Sequence, residues 1–231
     1  MKFYIGVTDS NWFKYLSSIE PDEVNFWKPS GGTFKAINTG DLFLFKLKYP
    51  ENCIVGGGYF LRTVSLPLSL AWKAFGDKNG ASDFKEFSQL IYSLRKTSYV
   101  KEPDPVIGCN ILISPFFFDK EEWIPAPSNW SPNIVQGKTY DTDNLIGRKV
   151  YNEVYNRLKN HKYEDNILAL EEDESSRYGK PSLILPRLGQ GSFRVLVTEA
   201  YERRCAITGE RTLPVLEASH IKPYSENGPH S

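Results

Sequence analysis

The sequence predicts an α+β protein in two parts: a strand-rich body with helical insertions, and a shorter C-terminal piece. Three observations lead there. Residues 1–60 and 106–118 hold dense apolar and aromatic runs of strand length. Between them, 65–80 and 82–96 change to a helical period. An acidic stretch within 161–181, ending in Ser, Gly and Pro, then precedes a final helical segment.

The elements follow in order. F-Y-I-G-V (3–7) reads as a short strand, and G-D-L-F-L-F-K-L (40–47) as a strand entered from a turn glycine. The intervening N-F-W-K-P-S-G-G-T-F-K-A-I reads as a loop, because Pro, Ser and Gly cluster in it. C-I-V-G-G-G-Y-F-L-R-T-V (53–64) alternates around a glycine triplet that implies a bulge or a close backbone approach. Ser69 is the expected cap of a helix carrying Leu70, Trp72, Ala74 and Phe75, with Gly76 at its end. Ser82 and Glu86 form the expected capping pair of a second helix, with Phe84, Phe87, Leu90, Ile91 and Leu94 on one stripe. V-I-G-C-N-I-L-I-S-P-F-F-F (106–118) has the continuous apolarity of a buried central strand, and E-E-W-I-P-A-P-S-N-W-S-P-N wraps the surface as a loop. Residues 146–160 and 187–204 are helical in period. The expected division is 1–170 as a recognition domain, 171–186 as linker and 187–231 as the C-terminal piece.

Composition narrows the function classes. At 231 residues and 40% hydrophobic, the chain has material for a real core. It shows no apolar run of membrane-spanning length, and M-K-F-Y-I-G-V-T-D-S lacks the plan of a signal peptide, so a soluble cytoplasmic protein without a membrane partner is expected. The 28 basic residues equal the 28 acidic ones, so any attraction to nucleic acid must come from a local patch. Cys53, Cys109 and Cys205 lie far apart with no C-x-x-C pair, which argues for structural thiols rather than a disulfide framework or a zinc site. Residues 1–160 contain no phosphate-binding loop, since Gly56-Gly57-Gly58 lacks a following Lys-Ser/Thr, and no metal-spaced histidines.

The C-terminal piece carries an ordered motif: R-L-G-Q-G-S-F-R-V-L-V-T-E-A-Y-E-R-R, then Cys205-Ala-Ile-Thr-Gly-Glu, then Leu216-Glu-Ala-Ser-His-Ile-Lys-Pro-Tyr224. This series resembles the first half of HNH endonucleases of the HNH_2, restriction-type branch. The resemblance implies an incomplete ββα-metal domain with His220 as general base, a role suited to a side chain that titrates near neutrality. It also implies a divalent Mg²⁺ or Mn²⁺ at the scissile phosphate in a complete domain. Ser219 stands where related nucleases often carry a ligand, and the chain stops at Ser231 before the N-x-L-L turn and metal helix. The expectation is therefore no bound metal and no cleavage by this polypeptide. The two active sites that HNH enzymes commonly need leave a homodimer open.

Residues 25–60, with Trp27, Gly40-Asp41, Leu42–Leu47 and Ile54-Val55-Gly56, resemble the centre of PUA-like modules of the EVE type. That resemblance implies a β-barrel-type domain, here with helical insertions, and an aromatic pocket able to take a flipped base from modified or unmodified DNA. Trp12 and Trp27 are the candidate stacking plates, Asn25 and Ser30 the candidate base-edge partners and Lys28 a candidate phosphate contact, with Arg187, Gln190 and Arg194 as further DNA contacts. A basic groove beside the tryptophans is expected from Lys14, Lys28, Lys35 and Lys46. The leading expectation is a restriction-type protein that reads DNA with its first part. The alternative is a non-catalytic nucleic-acid- or protein-binding module with an HNH remnant.

Overall fold

The computed structural model describes residues 1–95, 102–160, 189–211 and 216–218. Seven strands form one mixed sheet: β1 (Lys2–Thr8), β2 (Glu23–Lys28), β3 (Leu42–Leu47), β4 (Cys53–Pro67), β5 (Val106–Phe117), β6 (Ile124–Pro125) and β7 (Gly137–Asp141). Helix α1 (Ser10–Ile19) joins β1 to β2, α2 (Leu68–Phe75) and α3 (Phe84–Leu94) lie between β4 and β5, α4 (Leu145–Asn160) follows β7, and α5 (Gln190–Ala200) comes last. The expected α+β class holds. The strand order is β2-β5-β4-β3-β1-β7, with β6 added to β4. This path is open: among the described residues β2 and β7 are its two edges, where a barrel-type domain had been expected.

Alternation assigns each strand residue to a face. Tyr4, Phe43 and Phe45 enter an inner cluster with Phe26, Phe60 and the α1 residues Trp12, Phe13 and Leu16. Their neighbours Phe3, Ile5, Leu42 and Leu44 face α4, packing with Val150, Val154 and Leu158. A third cluster joins Ile107, Cys109, Ile111 and Ile113 of β5 to α2, α3 and Val195 of α5. The inner cluster is dominated by rings: Phe26 lies 4.7 Å from Phe43, and Trp12 meets Phe26 and Phe45 edge-on at 5.4 and 5.1 Å. Such pairs add about 0.5–1.5 kcal/mol each beyond area burial. The glycine triplet does what its sequence implies. The β4 register shifts between Gly57 and Tyr59, and a Cβ at Gly56 would stand 2.3 Å from the Phe116 carbonyl oxygen.

Within the expected surface loop Ile124–Pro125 pairs with β4 as β6, and local boundaries differ from expectation in three further places. N-F-W-K is strand rather than loop: Asn25, Phe26, Trp27 and Lys28 pair with Ile111, Asn110, Cys109 and Gly108 of β5. The turn residues that follow, from Pro29 on, end this strand rather than define it. Helix α2 starts after Pro67, and Ser69 lies in its first turn. The cap comes from Asp104, which accepts from the Ser69 amide at 2.8 Å and from its hydroxyl at 2.7 Å. In α3 the cap is Asp83, whose carboxylate accepts from the Glu86 amide at 2.8 Å. Ser82 instead donates to the Glu86 carboxylate through its amide and its hydroxyl. The reciprocal bonding of a capping box is present, shifted by one residue.

One short turn holds these parts together. In the 3-10 turn Gly76–Asn79, buried Asn79 accepts from Asn25 Nδ2 at 2.8 Å through its side chain and from Trp27 Nε1 at 2.8 Å through its carbonyl. Its own amide donates to the Ala71 and Gly76 carbonyls. The next residue, Gly80, has φ +81° and lies flat on Trp12, so that an added Cβ would sit 2.2 Å from the indole. The preceding Lys78 pairs with Asp22 at 2.5 Å and Glu23 at 3.1 Å.

Asn79→Ala strands the buried Asn25 amide and removes the side-chain donor to the Ala71 and Gly76 carbonyls. At about 1–3 kcal/mol per unsatisfied buried group, partly relieved by relaxation, a loss of about 2–4 kcal/mol is expected in urea unfolding. Lys78 offers a second check. Burial pulls its pKa down, but hydrogen bonds and charge from Asp22 and Glu23 outweigh this and hold it above the ordinary 10.5. A raised lysine pKa contributes stability that is full below 10.5 and lost as pH rises through the raised value. Unfolding measured across this alkaline window is expected to show that loss, and Lys78→Met to remove the corresponding step.

Candidate nucleic-acid interface

Beside the aromatic cluster lies a cleft of about 620 Å³, lined by Val7, Thr8, Asp9, Trp12, Phe26, Trp27, Lys28, Pro29, Ser30, Lys48, Leu94, Arg95, Val135 and Gln136. It lies where the open strand path leaves a gap. One wall is the edge strand β2 with its extension, and another is the Val135–Gln136 segment that leads into the opposite edge strand, β7. The Val7 amide donates to the Gln136 carbonyl at 2.9 Å and closes that wall. The size is that of small-ligand pockets, about 300–1,000 Å³.

Each lining side chain is set by its element. Asp9 caps α1, accepting from the Asn11 and Trp12 amides at 3.1 and 2.9 Å, and this cap fixes where Trp12 enters the cluster. Trp12 is only 4% exposed and forms part of the floor. Trp27 is half-buried; its indole N–H is committed to Asn79 and its ring meets Phe87 edge-on at 5.7 Å. Lys28 stands 5.1 Å over the Phe34 ring, and burial draws its pKa below the ordinary lysine value. Ser30 is exposed at the rim. Arg95, at the end of α3, is steadied by Glu102 at 3.5 Å and by the Val106 carbonyl at 3.3 Å. Lys28, Lys48 and Arg95, the last paired with Glu102, share the lining with one carboxylate, Asp9, which is itself occupied as a cap. The balance is locally basic on a chain of zero net charge.

Four of the sequence candidates, Trp12, Trp27, Lys28 and Ser30, meet at this cleft. Asn25 does not line it. It is a fully buried residue of β2, bonded to Asn79. Gln190 is exposed at the start of α5, and Arg194 donates to the Leu216 carbonyl at 2.6 Å. Arg187 and His220 lie outside the described residues. Of the lysines expected to make the groove, Lys14 and Lys35 are exposed but do not line it. Lys46 is buried, donating to the Leu47 carbonyl and lying 4.9 Å over Trp130. Lys48, Arg95 and Gln136 escaped the sequence reading because each sits at the end of an element far away in the chain. The alternation of 42–47 could have flagged Lys48 as the first residue beyond the strand.

The C-x-x-T-G segment forms a closed turn. The Cys205 amide donates to the Glu210 carbonyl at 2.8 Å, and the Gly209 amide donates back to the Cys205 carbonyl at 3.0 Å. Gly209 takes φ +71° to allow this. Hydrogen bonds from the Thr208 side chain and from the Thr208 and Ile207 amides lower the Cys205 thiol pKa. Cys109, by contrast, is pushed up to about 12 by burial. Among the described residues no group of three or more His, Cys, Asp or Glu side chains is placed to hold a metal ion.

No known protein family matches the chain, and no curated protein does either. Among solved structures it is similar to the crystal structure of ASCH from Zymomonas mobilis, at 11% identity and TM-score 0.44, over 65% of this chain and 94% of that one. A tyrosine-to-phenylalanine variant of the same protein matches at 11% identity and TM-score 0.42, over 67% of this chain and 99% of that one. A serine-to-alanine variant gives the same identity and a TM-score of 0.42. At this level the likeness assigns the chain no family and no residue a role. Nothing in them bears on the HNH resemblance. Among the described residues no helix is long and apolar enough to cross a membrane.

The thiols give a direct check on the local geometry. Cys205 is expected to alkylate with iodoacetamide faster than Cys109 in the folded protein, and Thr208→Ala to slow it by raising the thiolate's energy. Peptide mapping over a time course reads both rates.

Proposed function

We propose that this protein binds nucleic acid, holding an unstacked nucleobase of a DNA strand in the cleft between β2 and the Val135–Gln136 wall. The observation that carries this reading is the meeting of Trp27, Trp12 and Phe26 with Lys28, Lys48 and Arg95 in one cleft. Aromatic surface supplies stacking that every base can use, worth about 1–3 kcal/mol per base. The cations supply attraction for the backbone, and Ser30 and Gln136 supply hydrogen-bonding groups at the rim. An extruded base must repay a few kcal/mol of lost stacking and pairing, which a single-stranded or modified site reduces.

The finer reading is a restriction-type reader of modified DNA attached to an HNH-type nuclease, with His220 as general base and a Mg²⁺ or Mn²⁺ ion in the complete site. It is supported by the residue series 187–231 alone. One observation favours the second reading, a non-catalytic binding module with an HNH remnant. The first described helix of that series, α5, buries Val195 in the core shared with α2 and α3, as a structural part of the body would. Cleavage of DNA with Mg²⁺ or Mn²⁺ that is abolished by His220→Ala would decide for the nuclease.

Fluorescence anisotropy tests the binding reading with labelled single strands and with duplexes carrying plain or modified cytosine. Lys48→Ala is expected to weaken binding several-fold and to reduce the salt slope of log K by about 0.7–0.9. Trp27→Leu should cost about tenfold or more on the stacking scale above. Absence of binding to every strand and duplex, or binding that neither substitution alters, refutes the assignment of the cleft. Equal affinity for plain and modified duplexes refutes only the modification reader.

A further inference from the structure

Strand β2 has a second partner at its other end. Glu23 is fully buried, and its carboxylate receives the first turn of α5. The Gly191 and Ser192 amides donate to it at 2.8 and 2.9 Å, and the Ser192 hydroxyl donates to the same group. Lys78 completes the set at 3.1 Å. A carboxylate at a helix N-terminus satisfies orphan amides and meets the positive end of the helix dipole. This contact spans 168 residues of sequence and is made by the strand whose far end carries Trp27 and Lys28.

The connection between the two ends is continuous. Lys78 bonds Glu23, the adjacent Asn79 bonds both Asn25 and Trp27, and Gly80 lies against Trp12. Three consecutive residues of one turn thus touch the helix receptor, the strand and the floor of the cleft. Gly191 fits equally closely on the helix side, where a Cβ would stand 2.7 Å from the Ala74 carbonyl oxygen and 2.7 Å from the Phe75 ring. A shift of α5 is therefore felt both by Glu23 and by α2, the helix that runs into the turn.

We infer that docking of α5 on Glu23 is coupled to the state of the cleft: the docked helix holds β2 and the 78–80 turn in the arrangement that binds, and an occupied cleft tightens the docked helix. The coupling is reciprocal by linkage, so each event favours the other by the same factor. The α5 segment is in this way a positioning element for the cleft although it does not line it. The ligand half of this inference rests on the nucleic-acid reading above; the conformational half does not.

The test uses the full chain with Ser192→Ala, which removes one donor to Glu23, and Gly191→Ala, which wedges the helix off while leaving Glu23 intact. Hydrogen exchange across 190–200 reports docking. The indole ¹⁵N–H resonance of Trp27 in ligand-free protein reports the cleft, and anisotropy with a labelled oligothymidylate reports binding. Both variants are expected to exchange faster across 190–200, to move the Trp27 signal and to lose about tenfold in affinity, within the usual range of coupling. Oligothymidylate should in turn slow exchange across 190–200 in the unmodified chain. Faster exchange with an unmoved Trp27 signal overturns the coupling, as does unchanged exchange in both variants. If the unmodified chain binds no oligothymidylate, that result counts against the nucleic-acid reading, and the Trp27 signal alone decides the coupling.

Discussion

The turn at residues 78–80 is the constraint on which the rest of this structure depends. Three neighbouring residues use three different interactions: an ion pair, an amide network and a close van der Waals approach that only glycine permits. Lys78 and Asn79 both hold β2, Asn79 also holds α2, and Gly80 lies against α1. The network is expensive to leave half-made, because buried amides lose water on folding and regain stability only when paired. One group is left over: Asn25 Oδ1 is buried with no hydrogen-bond partner, a local cost offset by the bonds around it.

The open sheet explains why a cleft exists where it does. Closing the path would require β2 to pair with β7, which would fill the space now lined by Trp27, Lys28 and Gln136. Instead the edges stay apart and the inner face packs rings against α1. Close-packed rings resist collapse, so the gap keeps its shape, and its lining combines apolar surface with cations at the rim. Chemistry of this kind suits a flat, polar-edged, negatively tethered ligand better than a hydrocarbon or a cation.

Much of this architecture was legible in the chain. Dense apolar and aromatic runs marked the strands in 3–7 and 40–47, and loose alternation marked 53–64, because both faces of these strands are buried. The helical stripe of 84–94 was legible through Phe87 and Ile91, both buried. The misreading of N-F-W-K has a physical origin: Asn25 is polar yet buried, and the partner that makes this tolerable, Asn79, lies 54 positions away. The helix starts shifted, α3 one residue later and α2 two residues earlier, because Asp83 and the distant Asp104 supplied the caps in place of Ser82 and Ser69. Trp12, Trp27, Lys28 and Ser30, which line the cleft, were singled out from residue type, turn-rich context and the PUA-like resemblance. Lys48, Arg95 and Gln136 were not, since only the fold brings three element ends to one opening.

The placement of β2 also bears on how the molecule comes into being. The strand is second in the chain but lies beside β5, residues 106–117, and its buried carboxylate takes its last donors from residues 191 and 192. During synthesis, which proceeds from the N-terminus, β2 must wait for about ninety residues before its hydrogen-bonding partner exists and for far longer before Glu23 can leave water. Pairings so distant are slow to form, because loop closure precedes any reward. The wall of the cleft is thus among the first segments made and the last to be secured, and a nascent chain interrupted before α5 would leave the Glu23 carboxylate without its helix donors.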